Sequence, residues 1–356
     1  MQKNSNKKID YRKIKMALLQ EKNPVQIGFF EKLKLTLPPN ISLANEVADL
    51  LEMSVDGIYR RIRGETILSM DEMMKICNHF RISPGEISGS TSKEVLSATF
   101  HYRNIISDEN GFEEYLKNIL SDLKRIYASD PKQIIYAAED IPVFHQFYFP
   151  VLTAFKIFFW QKHVLYIPSL EGKKFDPSKI NPELFNVCKQ ITELYVSIPS
   201  VEIWHDDTLI SQIEMIQYAW ESGMFLDKEV ALQVCEALSN SLLTVEKQAA
   251  KSSKFIKEEK WAENEGNFTI YHSDVLIGNN HILVKAGKLR SVYLTLHSFN
   301  SMLTLDNHFC EETDSWLKNM IRKSSLISGV GEKQRHTFFN KAQQKVKDLI
   351  QRISAS

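Results

Sequence analysis

Seven residues within ten positions carry the side chains best suited to reading another molecule: Ser54, Val55, Asp56, Tyr59, Arg60, Arg61 and Arg63. An arginine fork gives paired hydrogen bonds to a guanine edge or to phosphate, and a tyrosine reaches a phosphate or stacks on sugar and base edges. That chemistry needs the group on one outer face of a rigid element. Ser54 is a good helix cap, Ile58 and Ile62 lie one turn apart, and Gly64 stands where a left-handed residue ends a helix. The spacing predicts a short helix with its isoleucines inward. Tyr59, Arg60 and Arg63 then face outward, with Arg61 further round.

The neighbouring segments supply a bundle for that helix. Asn23, Pro24 and Gln26 have the pattern of a cap, a first-turn proline and a capping-box partner ahead of Phe29, Phe30 and Leu33. After Ser42, the residues Leu43, Val47, Leu50 and Leu51 recur on one helical face, and Ala48 leaves room for a close helix approach. Ser69 to Glu72 forms a capping box before Met73, Met74, Cys77 and Phe80, and Ser83 to Glu86 forms another before Ile87. Five short helices are expected over about 65 residues, with connections of a few residues each.

The order of these elements carries a resemblance. Leu43 to Ile87, with its IYRRIRGE segment and the following SMDE box, resembles the lambda-repressor-like (Cro/Xre-type) DNA-binding domain. The IYRRIRGE segment is also similar to the N-terminal domain of BetR-type regulators. The resemblance implies a bacterial, helix-turn-helix transcriptional regulator that binds double-stranded DNA with the helix after Met53 in the major groove. By position it implies that Ser54, Val55, Asp56, Tyr59 and Arg60 face the groove and that Arg63 faces the backbone. Two residues depart from the pattern. Glu52 occupies the turn position where such domains usually have glycine, which predicts a mildly strained left-handed residue. Arg61 stands where an apolar residue is usual, so Ile62 is expected to take over its packing.

Charge argues in the other direction. The chain has 44 basic and 44 acidic residues, so no overall field attracts nucleic acid. From Asn40 to Ser90, five basic residues stand against eight acidic ones. The arginines concentrate on the candidate face, and a lysine-rich arm over residues 1–20, with Lys7 and Lys8, could add phosphate contacts. A protein-binding adaptor and an enzyme with a helix-turn-helix appendage stand as alternatives. The enzyme alternative requires a deep pocket with converging charges.

Beyond a Gly/Ser/Thr-rich boundary at Gly89 to Lys93, the pattern is mixed. Three domains are expected: the arm over 1–20, the helix-turn-helix domain over 21–90, and an α+β sensory or dimerisation domain over 95–356. The expected class is mainly α, with a five-helix N-terminal domain and a larger α+β domain holding a small antiparallel sheet. Helices are expected over 111–128, 147–164, 183–196, 210–220, 227–255, 310–322 and 332–353. A short strand is expected over 133–137, and a meander of three over 268–277, 281–285 and 289–296.

No catalytic, metal or cofactor residue emerges in this larger region. Gly329-Val330-Gly331 lacks a full phosphate-loop pattern, and His205-Asp206-Asp207 lacks a second histidine pair at ligand spacing and reads as solvated loop. The aromatic run from Phe144 to Trp160 reads as core; were it a cavity wall, a small apolar effector would suit it. The stretch from Ile141 to Trp160 is too interrupted by Pro142, Pro150, His145, Gln146 and Lys156 to span a bilayer, so no membrane partner is expected. Phe339, Ala342, Val346, Leu349 and Ile353 form a coiled-coil-like seam for a homodimer interface or for docking on the same domain. Four dispersed cysteines and no signal-peptide pattern lead to an expected cytoplasmic location.

Overall fold

In the computed structural model, the side chain of Asn23 accepts a hydrogen bond from the Gln26 backbone N–H, and Pro24 takes the first position of helix α1 (Pro24–Thr36). The structure describes residues 23–37, 41–80, 82, 98–103, 109–179, 181–296 and 300–356. They fall into two compact units, one ending at Thr99 and the other beginning at Phe100. The arm over 1–20 and the expected fifth helix after Ser83 lie outside the described residues.

In the first unit α1 is followed by α2 (Leu43–Leu51), α3 (Val55–Ile62) and α4 (Met70–Phe80). Ser42 precedes α2 but makes no side-chain cap, whereas Ser54 accepts from Gly57 N–H at 3.2 Å and starts α3. At α4 the capping box is reciprocal: Ser69 N–H donates to Glu72, and Glu72 N–H donates to Ser69 Oγ. Phe29, Phe30 and Leu33 of α1 meet Val47 and Ala48 of α2, Ile58 of α3 and Ile76 of α4 in one buried cluster. Ile58 is the fully buried side chain of α3, so it anchors that helix; truncation to alanine costs about 2–5 kcal/mol at such a site.

The second unit is built on one eight-stranded sheet with the order β1-β7-β6-β5-β2-β3-β4-β8. Its strands are β1 (His101–Tyr102), β2 (Lys132–Ala137), β3 (Ser200–Trp204), β4 (Phe268–His272), β5 (His281–Ala286), β6 (Leu289–Leu296), β7 (Asn300–Thr304) and β8 (Ser325–Leu326). The helices are α5 (Glu109–Tyr127), α6 (Pro150–His163), α7 (Pro182–Ser197), α8 (Ile210–Glu221), α9 (Lys228–Lys251), α10 (Asn307–Lys323) and α11 (Glu332–Ala355).

This sheet corrects the expectation of a small antiparallel one. The meander of β4, β5 and β6 does not exist as such: β5 and β6 pair antiparallel, but β4 runs parallel to β3, and β3 parallel to β2. The short strand at 132–137 lies at the centre of the same sheet, paired to β5 on its other side. Parallel pairing requires long crossovers, which α6 and α7 supply between β2 and β3, and α8 and α9 between β3 and β4.

The period of two along β2 divides the core. Ile134 and Tyr136 join Phe268 and Ile270 in the larger cluster, which also holds buried residues of helices α5, α6, α7, α8, α9 and α11. Ile135 and Ala137 point the other way, to Cys310 and Leu317 of α10. The apolar helix expected from Phe147 starts at Pro150, because the proline fixes the first turn and a 3-10 turn over Val143–His145 comes before it. Phe155 stacks on Phe225 with ring centroids 5.2 Å apart, so this part of the aromatic run is core. In α11, Phe339, Ala342, Val346, Leu349 and Ile353 are all buried within their own unit, which settles that the seam docks intramolecularly. Among the described residues no helix is long and apolar enough to cross a membrane.

Candidate nucleic-acid interface

The connection between α2 and α3 sets what α3 can present. Glu52 ends α2 in the left-handed conformation (φ 54°, ψ 45°), its N–H donating back into α2, and Met53 and Ser54 return the chain to α3. With Ile58 turned into the bundle, the helical period leaves Ser54, Val55, Asp56, Tyr59, Arg60 and Arg63 exposed. Tyr59 is 45% exposed, and the Arg60 side chain 60%.

Two of these arginines have carboxylate neighbours. Arg60 lies 3.2 Å from Asp56 one turn earlier, and Arg63 makes a two-pronged pair with Glu65 at 2.7 and 3.1 Å. Exposed pairs of this kind contribute only about 0–1 kcal/mol, so a phosphate or a base edge can compete for either guanidinium.

Arg61 departs from the group. Its side chain is 12% exposed, donates to both oxygens of Glu72 on α4, and reaches the Gly57 carbonyl. The structure therefore separates Arg61 from the other six residues: it ties α3 to α4. For Glu72, burial pushes the carboxyl up, but the Ser69 backbone N–H and the Arg61 guanidinium more than reverse this and hold it below its ordinary value.

Gln26 has a role that local spacing does not show. Its side chain does not return to Asn23 as a capping box would. Instead Nε2 donates to the carbonyls of Arg61 at 2.7 Å and Thr66 at 2.8 Å, and Oε1 accepts from Leu68 N–H at 2.8 Å. The exit of α3 is thereby sewn to α1. Gly64 completes this exit at φ +71°, where a Cβ would meet the Asn23 nitrogen and Ile27 at 3.2 Å. Between the exit of α3 and the start of α4, Ile67 and Met70 are also exposed.

In the second unit a buried polar cluster surrounds Glu202, which is fully buried in β3. Its carboxylate accepts from Tyr195 Oη at 2.6 Å, His145 Nε2 at 2.8 Å and Trp204 Nε1 at 2.9 Å. Burial raises its pKa, and His145, Tyr195 and Lys254 together overcome that, leaving it lowered. Both oxygens are occupied and sealed from solvent, so the cluster joins β3 to α7 and the segment before α6. Among the described residues no group of three or more histidine, cysteine or acidic side chains is disposed to hold a metal.

His205 corrects a sequence expectation. It is 5% exposed rather than solvated, with its Nδ1 accepting from Asp207 N–H at 3.0 Å. Comparison with family models, curated proteins and solved structures finds no match to this chain.

Proposed function

We propose that this protein is a bacterial, sequence-specific regulator of transcription that binds double-stranded DNA in the manner of lambda-repressor-like domains, with α3 in the major groove. The observation that carries this reading is the division of α3: Ile58 and Arg61 are committed inward while Ser54, Val55, Asp56, Tyr59, Arg60 and Arg63 share the exposed side. A short helix with that outer chemistry, following a second helix through a tight turn, fits a groove about 12 Å wide. Arg60 and Tyr59 read base edges or adjoining sugars, Arg63 contacts phosphate, and Arg61 positions the helix without touching DNA.

One such helix reads only a few base pairs. A homodimer would set a second copy one DNA turn, roughly 34 Å, away and supply the missing affinity. The second unit is the place for such an interface or for an effector site, and the setting is the cytoplasm. A second reading, an adaptor that binds protein through this unit, is favoured by the acidic excess of the segment and by exposed Ile67 and Met70 between the exit of α3 and the start of α4.

The test is footprinting and titration of the full chain on DNA from its own promoter over a range of salt. Specific binding should fall steeply with salt, and Arg60→Ala should weaken it by about 1–3 kcal/mol and relax base preference. Changing Lys7 and Lys8 should lower affinity for all sequences alike and flatten the salt slope. Salt-insensitive binding, or an unchanged footprint with Arg60→Ala, counts against groove readout and leaves the adaptor reading.

A further inference from the structure

Each arginine of α3 and its exit stands beside a carboxylate: Arg60 by Asp56, Arg61 by Glu72 and Arg63 by Glu65. Glu72 is drawn into the contact with α4, but Asp56 is on the exposed side, its side chain 71% accessible. An aspartate there is repelled by every phosphate of a duplex. Capping does not require it, because Ser54 Oγ already accepts from Gly57 N–H at the start of α3. A first-turn carboxylate also favours the helix dipole, an effect that acts on folding and leaves base preference untouched.

The geometry of the pair decides what Arg60 can take up. Asp56 Oδ2 lies 3.2 Å from Arg60 Nε, on the side edge of the guanidinium. The Nη1 and Nη2 end is left as a donor pair that matches the O6 and N7 acceptors of guanine. A phosphate at that end would bring a second negative charge next to Asp56, whereas guanine offers its acceptors without charge. The pair therefore turns Arg60 towards a base edge.

Asp56 itself has acceptor capacity beyond this ion pair. In the major groove the amino group of cytosine is the donor that a carboxylate reads. Successive base pairs are stacked roughly 3.4 Å apart, close to the 3.2 Å between the two side chains, so both can meet edges of adjoining pairs at once.

We propose that Asp56 and Arg60 act as one reading unit, Arg60 on a guanine and Asp56 on a cytosine of the adjoining base pair. This rests on the placement of α3 in the major groove and adds to it the base step that α3 reads. Asp56 lowers affinity for DNA in general and raises the ratio of matched to mismatched binding.

The test is selection of bound duplexes from a randomised DNA library by the full chain and its variants, followed by titration of the selected duplex at fixed salt. Wild type should enrich a motif with adjoining guanine and cytosine positions, and Arg60→Ala should lose the guanine. Asp56→Asn should replace the cytosine by adenine, to which an amide gives paired hydrogen bonds, and Asp56→Ala should leave that position degenerate. Both Asp56 variants should bind mismatched duplex more tightly than wild type and discriminate guanine about tenfold less. Their thermal midpoints should stay within a few degrees of wild type, and a collapse of the midpoint would make Asp56 a folding residue and overturn the proposal. An Asp56→Asn motif identical to the wild-type one, or an Arg60-dependent position other than guanine, overturns it and leaves groove readout standing. Absence of any enriched motif with wild type removes both.

Discussion

Arg61 Nη2 on α3 and Glu72 Oε1 on α4 lie 2.8 Å apart, and the same glutamate caps α4 by accepting from Ser69 N–H. One carboxylate thus joins the helix that presents the candidate face to the helix that supports it. Arg61→Met keeps the aliphatic packing but leaves Glu72 without its guanidinium, and it should destabilise the first unit by about 1–3 kcal/mol in chemical unfolding. Base preference and salt slope on DNA should stay as in wild type, in contrast to Arg60→Ala. A relaxed preference in Arg61→Met would place that arginine on the DNA instead.

Glu52 holds a left-handed conformation that costs a non-glycine residue about 1–2 kcal/mol, partly offset because glycine loses about 0.5–1 kcal/mol more in chain entropy on folding. Glu52→Gly should therefore stabilise the first unit by about 0.5–1 kcal/mol, seen as a thermal midpoint several degrees higher. An unchanged or lower midpoint would mean that the Glu52 side chain contributes as much as its backbone costs.

Gln26 links α1 to the exit of α3 through three hydrogen bonds. Gln26→Ala removes three hydrogen bonds and leaves the Arg61 and Thr66 carbonyls and the Leu68 N–H to find other partners, at about 2–4 kcal/mol. Hydrogen exchange at Leu68 should accelerate by the same free energy. Unaltered protection there would show that the exit is held by packing alone.

Lys254 is fully buried, donates to the Tyr195 carbonyl at 2.7 Å and lies 4.0 Å from the centre of the Tyr195 ring. Burial brings its pKa down to about 7, with Glu202 acting in the opposite direction. In the unfolded chain a lysine titrates near about 10.4, so between about pH 7 and 10 the unfolded state binds more protons and stability rises with pH. Lys156, brought down to about 8 by burial, adds a smaller rise of the same sign. Urea midpoints from about pH 6.5 to 9.5 should climb in wild type and climb less in Lys254→Met. Parallel curves would show that Lys254 keeps its charge across this window.

Much of the local architecture is legible in the chain itself. Ser54, the Ser69–Glu72 box and Asn23 mark helix starts because a cap joins groups only two or three residues apart, and the stripe from Leu43 to Val47 marks a buried face for the same reason. The helices of the second unit are likewise visible in their apolar period. Strand β3 is not: the polar–apolar alternation of Ser200 to Ile203 is too short, and too much at odds with a buried Glu202 at its centre, to mark a core strand, and its stability comes from β2 and β4, more than sixty positions away on either side.

Which charged groups turn inward was decided only by tertiary structure. Arg60 and Arg61 are adjacent and chemically identical, yet one faces solvent and the other Glu72, because the packing of α3 on α4 brings a carboxylate to just one side. His205 and Lys345 are 140 positions apart and line one cavity because the middle of α11 packs against the loop after β3, where Lys345 Nζ donates to the Asp206 carbonyl. Helix starts and faces are local free energies that a few neighbouring residues determine. Strand order, parallel pairing and the burial of a charge depend on partners that the chain supplies only once it has folded.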